Sequence, residues 1–252
     1  MIDLTDIAIC GCNGKMGKVI YGIIKDRSDC RVVAGIDVNT NQYADFPVFP
    51  IPNEMTAKPD VIIDFSHPSS LEPLIEYGLS SGCAIVFATT GYSAEQIAKI
   101  KKASEQIPVF FTFNMSLGIN LLVELAKKAT SVLGGQFDIE IIEKHHNQKI
   151  DAPSGTALML ADAINETLNN SCQYIYDRHS RRQKRDKNEI GIHAVRGGTI
   201  VGEHEVIFAG RDEIITLSHS ATSKEIFAVG AVNAAVFLKG KKSGLYNMSN
   251  LI

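Results

Sequence analysis

The sequence predicts an α/β protein: a parallel sheet covered by helices in the first part of the chain, joined to an α+β module with a mixed sheet. Three observations carry this expectation. Up to about residue 114, short apolar runs alternate with segments of helical periodicity. Those runs lack polar alternation, as strands buried on both faces do. Beyond that point one strand does alternate, and closely spaced strand-like runs with turn residues between them follow.

The elements justify themselves in order. Ile7-Ala8-Ile9-Cys10 is an apolar run ending in a Gly-rich turn, and residues 15–25 carry Met16, Val19, Ile20, Ile23 and Ile24 at a helical spacing. Arg31 to Asp37, Asp60 to Phe65, Cys83 to Phe87 and Pro108 to Phe111 read as further strands, with helices over 68–81 and 93–105 between the later ones. A helix over about 117–132 leads into Phe137–Ile142, where Phe137, Ile139 and Ile141 share one face and Asp138, Glu140 and Ile142 the other. A helix from Ser154 to about Leu168 follows. The charged stretch 176–189, with Arg178, Arg181, Arg182, Lys184 and Arg185, reads as an exposed loop. Gly191–Val195, Val201–Phe208 and Glu213–His219 read as antiparallel strands with turns at Gly197-Gly198 and Gly210-Arg211-Asp212, and an Ala-rich helix over 224–238 closes the pattern. The expected division is residues 1–114 with 225–252 as one domain and 115–224 as an inserted second domain.

With 252 residues the chain has room for two compact domains. A formal charge of -3 argues against a nucleic-acid or membrane-surface partner, which calls for a basic excess. The apolar runs are too short and interrupted for a membrane span. The start, Met-Ile-Asp-Leu-Thr-Asp, lacks a basic segment followed by an apolar one, so a cytoplasmic location is expected. Five cysteines (Cys10, Cys12, Cys30, Cys83 and Cys172) show no zinc-like spacing and read as free thiols.

Gly11-Cys12-Asn13-Gly14-Lys15-Met16-Gly17 follows a strand and opens a helix. In a Rossmann-type unit such glycines permit a tight turn, close approach of a pyrophosphate and close helix–strand packing, while the helix start faces the phosphates. The spacing is GxxGxxG, so the context carries more weight than the motif, and the glycines could serve the turn alone. Asp37, at the end of the second strand, suits an adenosine ribose. Its carboxylate repels a 2′-phosphate and Val38 supplies no cation, although Lys15 and Lys18 are near in sequence; the reading leans to NADH with NADPH accepted. Ala88-Thr89-Thr90-Gly91 and Phe113-Asn114-Met115-Ser116, also at strand ends, suit a nicotinamide and its ribose or are ordinary turns.

The segment Glu143-Lys144-His145-His146-Asn147-Gln148-Lys149-Ile150-Asp151-Ala152-Pro153-Ser154-Gly155-Thr156-Ala157 gathers acid–base and anion-binding groups. Imidazole titrates nearest neutrality and suits proton donation, so His145 and His146, whose side chains should diverge, are candidates. Lys149 can hold a carboxylate or assist proton delivery, and Asp151 can orient it or cap a turn. Ser154 suits an N-cap, with the amides of Gly155 and Thr156 placed to bind an anion. Two adjacent histidines in a loop can equally be solvated and idle, and a zinc role lacks a third ligand.

That segment, EKHHNQKIDAPSGTA, closely resembles the active-site motif of the dihydrodipicolinate (4-hydroxy-tetrahydrodipicolinate) reductase family, and the resemblance spans nearly the whole chain. GCNGKMG looks like the family's dinucleotide loop, DFSHP and ATTG like its later cofactor loops, FNMSLG like its hinge and RGGTIVGEHEVIFAG like its tetramer-forming sheet. The resemblance implies NAD(P)H-dependent reduction of 4-hydroxy-tetrahydrodipicolinate, with loss of water, in lysine and diaminopimelate biosynthesis, by a homotetramer. It implies His145 as proton donor, Lys149 as second donor, and His146, Ser154, Gly155 and Thr156 as holders of the dicarboxylate. Cofactor contacts are implied for Gly11, Cys12, Asn13, Gly14, Lys15, Met16, Asp37, Ala88, Thr89, Thr90, Thr112, Phe113, Asn114 and Met115. Ala88 stands where a glycine is frequent and Val38 where some members carry an arginine. Arg196 and Lys224 are cations in family-like segments, in ligand contact or structural. The rival readings are another Rossmann oxidoreductase, for example a semialdehyde or sugar dehydrogenase, and a non-catalytic NAD(P)-sensing regulator. A semialdehyde dehydrogenase of the acylating type needs a nucleophilic cysteine that residues 143–157 lack; the regulator has no need of His145, Lys149 and Ser154 together.

Overall fold

The computed structural model describes residues 4–251. The chain forms two compact units, Met1–Leu117 with Glu225–Ile252, and Gly118–Lys224. In the first unit, strands β1 (Thr5–Cys10), β2 (Cys30–Ile36), β3 (Val48–Phe49), β4 (Val61–Asp64), β5 (Ala84–Phe87) and β6 (Pro108–Phe111) come with helices α1 (Lys15–Lys25), α2 (Leu71–Ser81) and α3 (Ala94–Ala103). The second unit takes helix α4 (Leu117–Leu133), strand β7 (Asp138–His145), helix α5 (Gly155–Thr167) and strands β8 (Gln173–Ile175), β9 (Glu189–Arg196), β10 (Gly202–Ala209) and β11 (Ile214–Ala221). Helix α6 (Glu225–Leu238) and strand β12 (Gly244–Tyr246) belong to the first unit.

The first sheet has seven strands in the order β12-β6-β5-β4-β1-β2-β3, all parallel. Alternate residues of each strand face opposite layers. Ile7 and Ile9 pack with Ile20 and Ile24 of α1 and with Ala228, Ala231 and Ala235 of α6. Ala8, Cys10 and Ile62 face Leu71 and Leu74 of α2 and Ile100 of α3. Burial on both faces explains why these strands show no polar alternation in the sequence. Because all strands run one way, the residues after β1, β2, β4, β5 and β6 line one edge of the sheet. Strand order reverses between β1 and β4, and open α/β sheets bind ligands at such a point.

The second sheet has the order β11-β10-β7-β9-β8 and is mixed. β10 pairs antiparallel with β7 and β11, whereas β9 pairs parallel with β7 and β8. This corrects the antiparallel reading of residues 191–195. β7 lies between β9 and β10, so Gly197-Gly198 closes no hairpin between them. Helices α4 and α5 cover one face, packing Leu122, Ala126, Leu160 and Ile164 on Ile139, Ile141, Ile192 and Val206. The 176–189 segment is a loop around the short β8–β9 pair, and three of its arginines reach the sheet, Arg181 standing 3.7 Å from Glu189. Arg178 meets Glu140 and Glu189, each at 2.8 Å, and Arg185 meets Asp138 at 2.8 Å. Among the described residues no helix is long and apolar enough to cross a membrane.

Candidate active site

The glycine turn after β1 is a tight cradle. Gly11 has a φ of +80°, and a Cβ built on it would lie 2.5 Å from the Phe65 carbonyl oxygen after β4. A Cβ on Gly17 would lie 2.2 Å from the Gly11 carbonyl oxygen, so α1 crosses the turn at backbone contact. The bare helix start at Gly14 has no side-chain cap, which leaves amides for an anion. Cys12 is fully buried, so only its backbone can meet a ligand; burial pushes its thiol up to about 11. Lys15 is exposed, while the Lys18 ammonium stands 5.5 Å from the centre of the Tyr43 ring.

Asp37 closes the other side of this turn. One carboxylate oxygen accepts the Asn13 amide hydrogen and the other accepts that of Asn39, both at 3.0 Å. The Asn13 side-chain amide donates to the carbonyls of Asn39 and Asn41. Val38 is 96% exposed beside it.

The later loops differ among themselves. Thr90 is exposed, but Thr89 is buried and its hydroxyl oxygen accepts the Ser66 amide hydrogen at 2.9 Å. Ala88 is buried and tied through its amide to the Asp64 carbonyl oxygen. Asp64 itself is fully buried and accepts hydrogen bonds from Ser66 and Tyr92; burial drives its carboxyl upward. Sequence reasoning missed this support beneath the loops of that sheet edge. Phe113 is 79% exposed and Met115 is buried, and the Thr112 hydroxyl oxygen accepts the Asn114 amide hydrogen at 3.3 Å.

In the second unit the chemistry begins where an apolar face turns polar. β7 runs three residues further than the sequence predicts, and its helix-facing residues are Ile139, Ile141, Glu143 and His145, all buried. His145 is therefore the last residue of a strand, not part of a loop. The same rows hold Arg196 beside His145 on β9, His204 beside Glu143 on β10 and His219 beside His204 on β11. The start of α5 covers this polar end.

Glu143 is the hub. One of its oxygens contacts His145 Nδ1 at 2.5 Å and Arg196 Nη1 at 2.8 Å. The other accepts from Arg196 Nη2 at 2.7 Å and from the Ser154 amide at 2.9 Å. Burial opposes the charge on Glu143, but the hydrogen bonds from Arg196 and His145 outweigh it and hold the carboxyl below the usual range. Since the carboxylate can only accept, His145 carries a hydrogen on Nδ1, which leaves Nε2 for any other partner. That nitrogen faces the chain at Gly202, where a Cβ would approach it to 3.1 Å.

The loop after β7 is pinned around this hub. Gly197 donates its amide hydrogen to the His145 carbonyl, and Asn147 donates to that of Gly198. Arg196 also reaches the Asp151 carbonyl at 2.6 Å. Lys149 is one-fifth exposed and pairs with Asp151 at 2.8 Å, a contact that holds Asp151 below the usual carboxylate range. His146 is half-buried next to the buried His145. Ser154 caps α5, its hydroxyl oxygen accepting the Ala157 amide hydrogen, with Gly155 exposed and Thr156 half-buried in the first turn. The structure thus gathers His145, Ser154 and Arg196 around one buried carboxylate, that of Glu143, and adds His204 beside it, while Lys149 pairs with Asp151 in the loop that Arg196 holds.

The chain matches the family models described as dihydrodipicolinate reductase N-terminus over residues 5–115 and C-terminus over residues 118–252. The chain belongs to the dihydrodipicolinate reductase family. A 4-hydroxy-tetrahydrodipicolinate reductase of Caldanaerobacter subterraneus subsp. tengcongensis is 53% identical over 98% of this chain and 97% of its own length. One of Clostridium tetani is 51% identical over 99% and 97%. The solved, dipicolinate-bound dihydrodipicolinate reductase of Paenisporosarcina sp. TG-14 superposes with a TM-score of 0.83 at 26% identity, covering 99% of this chain and all of that one. A probable dehydrogenase of Thermotoga maritima, at 11% identity and a TM-score of 0.59, shares the fold alone. As a member of the dihydrodipicolinate reductase family, the chain is an NAD(P)H-dependent oxidoreductase of lysine and diaminopimelate biosynthesis that reduces 4-hydroxy-tetrahydrodipicolinate to tetrahydrodipicolinate.

Proposed function

We propose that His145 delivers the proton of this reduction, and that Lys149, His146 and the start of α5 (Ser154, Gly155 and Thr156) hold the substrate's two carboxylates. The observation that carries the reading is the buried His145–Glu143 contact at 2.5 Å. A carboxylate that fixes one ring nitrogen leaves the other with a single job, exchange with a reacting atom. Loss of water from the hydroxylated ring leaves a conjugated imine. Reduction then adds a hydride to one end of the conjugated system and a proton to the other, giving tetrahydrodipicolinate, water and the oxidised nucleotide. The reduced nicotinamide supplies the hydride when bound. His145 supplies the proton through Nε2 and regains it from solvent. Lys149 and the α5 amides offset the dianion's charge and fix the ring.

The cradle at Gly11, Cys12, Asn13, Gly14, Lys15 and Met16 fits a pyrophosphate. Asp37 fits a ribose with free hydroxyls, and Ala88 to Thr90 with Thr112 to Met115 lie on the same sheet edge. Asp37 with the uncharged Val38 favours NADH, with NADPH accepted. This reading makes Met1–Leu117 with Glu225–Ile252 the dinucleotide unit and Gly118–Lys224 the substrate and assembly unit. The partner of that assembly unit is a further copy of the chain, in a homotetramer. Its support is β11, an edge strand that leaves Ile214 69% and Ile215 36% exposed. The cytoplasm, where reduced nucleotide is available, is the expected location.

A coupled assay tests the reading. Pyruvate and aspartate semialdehyde are condensed enzymatically, and NADH oxidation is followed on adding the protein. His145→Ala and Lys149→Ala should each lower kcat/KM by about 100-fold or more while NADH affinity stays within about twofold. Equal loss of NADH affinity would place them in the wrong site.

A further inference from the structure

His204 takes no part in the chemistry above, yet it is buried at the centre of the polar end of the sheet. It lies opposite Glu143 on one side and His219 on the other, and its ring meets that of His145 edge-on at 5.2 Å. Its Nε2 is 3.0 Å from Ser154 Oγ. Its Nδ1 is buried with no hydrogen-bond partner among the described residues. Burial, with His145 next in effect, pulls His204 down to about 4, so the ring is neutral and carries one hydrogen. A hydrogen on Nδ1 would be a buried donor without an acceptor, whereas a bare lone pair there costs less. The hydrogen therefore sits on Nε2 and points at Ser154. Ser154 Oγ then accepts twice, from His204 and from the Ala157 amide at 3.2 Å. A hydroxyl has two lone pairs and one hydrogen. With both lone pairs engaged, the hydrogen is left to donate outward at the start of α5.

We propose that His204 is a positioning residue that makes Ser154 a hydrogen-bond donor to a substrate carboxylate. The inference rests on the reading of Ser154 as a substrate contact. The test is titration calorimetry of pyridine-2,6-dicarboxylate on the intact protein with NADH bound. Ser154→Ala and His204→Phe should each weaken binding about tenfold, the worth of one hydrogen bond to a charged group. The double variant should be no weaker than either single one. His204→Gln, which keeps a donor near the Nε2 position, should recover most of the loss, and NADH affinity should not move in any of them. Nitrogen-15 NMR of the wild-type histidines is independent of whether a variant folds; it should show Nε2 of His204 protonated and Nδ1 bare. Losses that multiply in the double variant, a Gln variant as weak as Phe, or a proton on Nδ1 would each overturn the proposal. Unchanged binding in Ser154→Ala would instead remove Ser154 from the substrate site and the proposal with it.

Discussion

A carboxylate removed from water must be matched by donors, and Glu143 is matched at every side by Arg196, His145 and the Ser154 amide. Taking it away strands the Arg196 guanidinium, which is mostly buried and cannot neutralise itself. Glu143→Ala should therefore cost about 3–5 kcal/mol of stability in denaturant unfolding, the range for breaking one side of a buried pair. Glu143→Gln keeps the shape but not the charge; on the proposed mechanism it should lower kcat more than it raises KM, because it disturbs the His145 ring assigned to deliver the proton. The pH dependence follows from two groups shifted the same way. Glu143 has a depressed folded pKa, so its contribution is present above the ordinary carboxylate value and is lost as pH falls through the folded one. His204 stays neutral when folded, but the unfolded chain takes a proton below pH 6.5, so stability falls between pH 6.5 and about 4. The His204 part amounts to roughly 3 kcal/mol at the acid end. A melting series from pH 7 to 4 should show a steep acid limb, flattened over that window in His204→Gln.

Elements differ in how far the sequence discloses them. Strands β1, β2, β4, β5 and β6 of the first sheet were legible because burial on both faces leaves unbroken apolar runs, as in Val61-Ile62-Ile63. β7 was legible only to Ile142. Its period of two continues through Glu143 and His145, but the inward residues become polar, and an apolar pattern cannot register them. His204 carried a signal that went unused: it is in phase with Val206 and Phe208, the inward residues of β10. The parallel pairing of β9 was not legible, since its neighbour in space is set by β7 inserting beside it rather than by the turn at Gly197-Gly198. β3, β8 and β12, with two or three residues each, are too short for any period. The glycine turn was legible in type, and its geometry makes a prediction about α1. Gly17→Ala would force α1 off the Gly11 carbonyl, costing about 1–3 kcal/mol in thermal or denaturant unfolding. NADH affinity should fall with it, because the shifted helix start no longer faces the phosphates.

At the scale of the whole molecule, the proposed reading gives the dinucleotide to one unit and the substrate to the other, and asks of the assembly no catalytic group. The exposed Ile214 and Ile215 on the edge strand β11 make an oligomer the expected form. Sedimentation should show a species of four chains, and Ile214→Lys should shift it toward smaller species. How the reaction divides between the units is tested most directly by crossed calorimetry, in which NADH and pyridine-2,6-dicarboxylate are each titrated, separately, into Asp37→Ala and into Lys149→Ala. Asp37→Ala should weaken NADH by about tenfold or more and leave the free-enzyme affinity for the dicarboxylate within about twofold, with Lys149→Ala doing the reverse. If Lys149→Ala weakened NADH while the dicarboxylate bound it as before, the assignment of the two ligands to the two units would be contradicted.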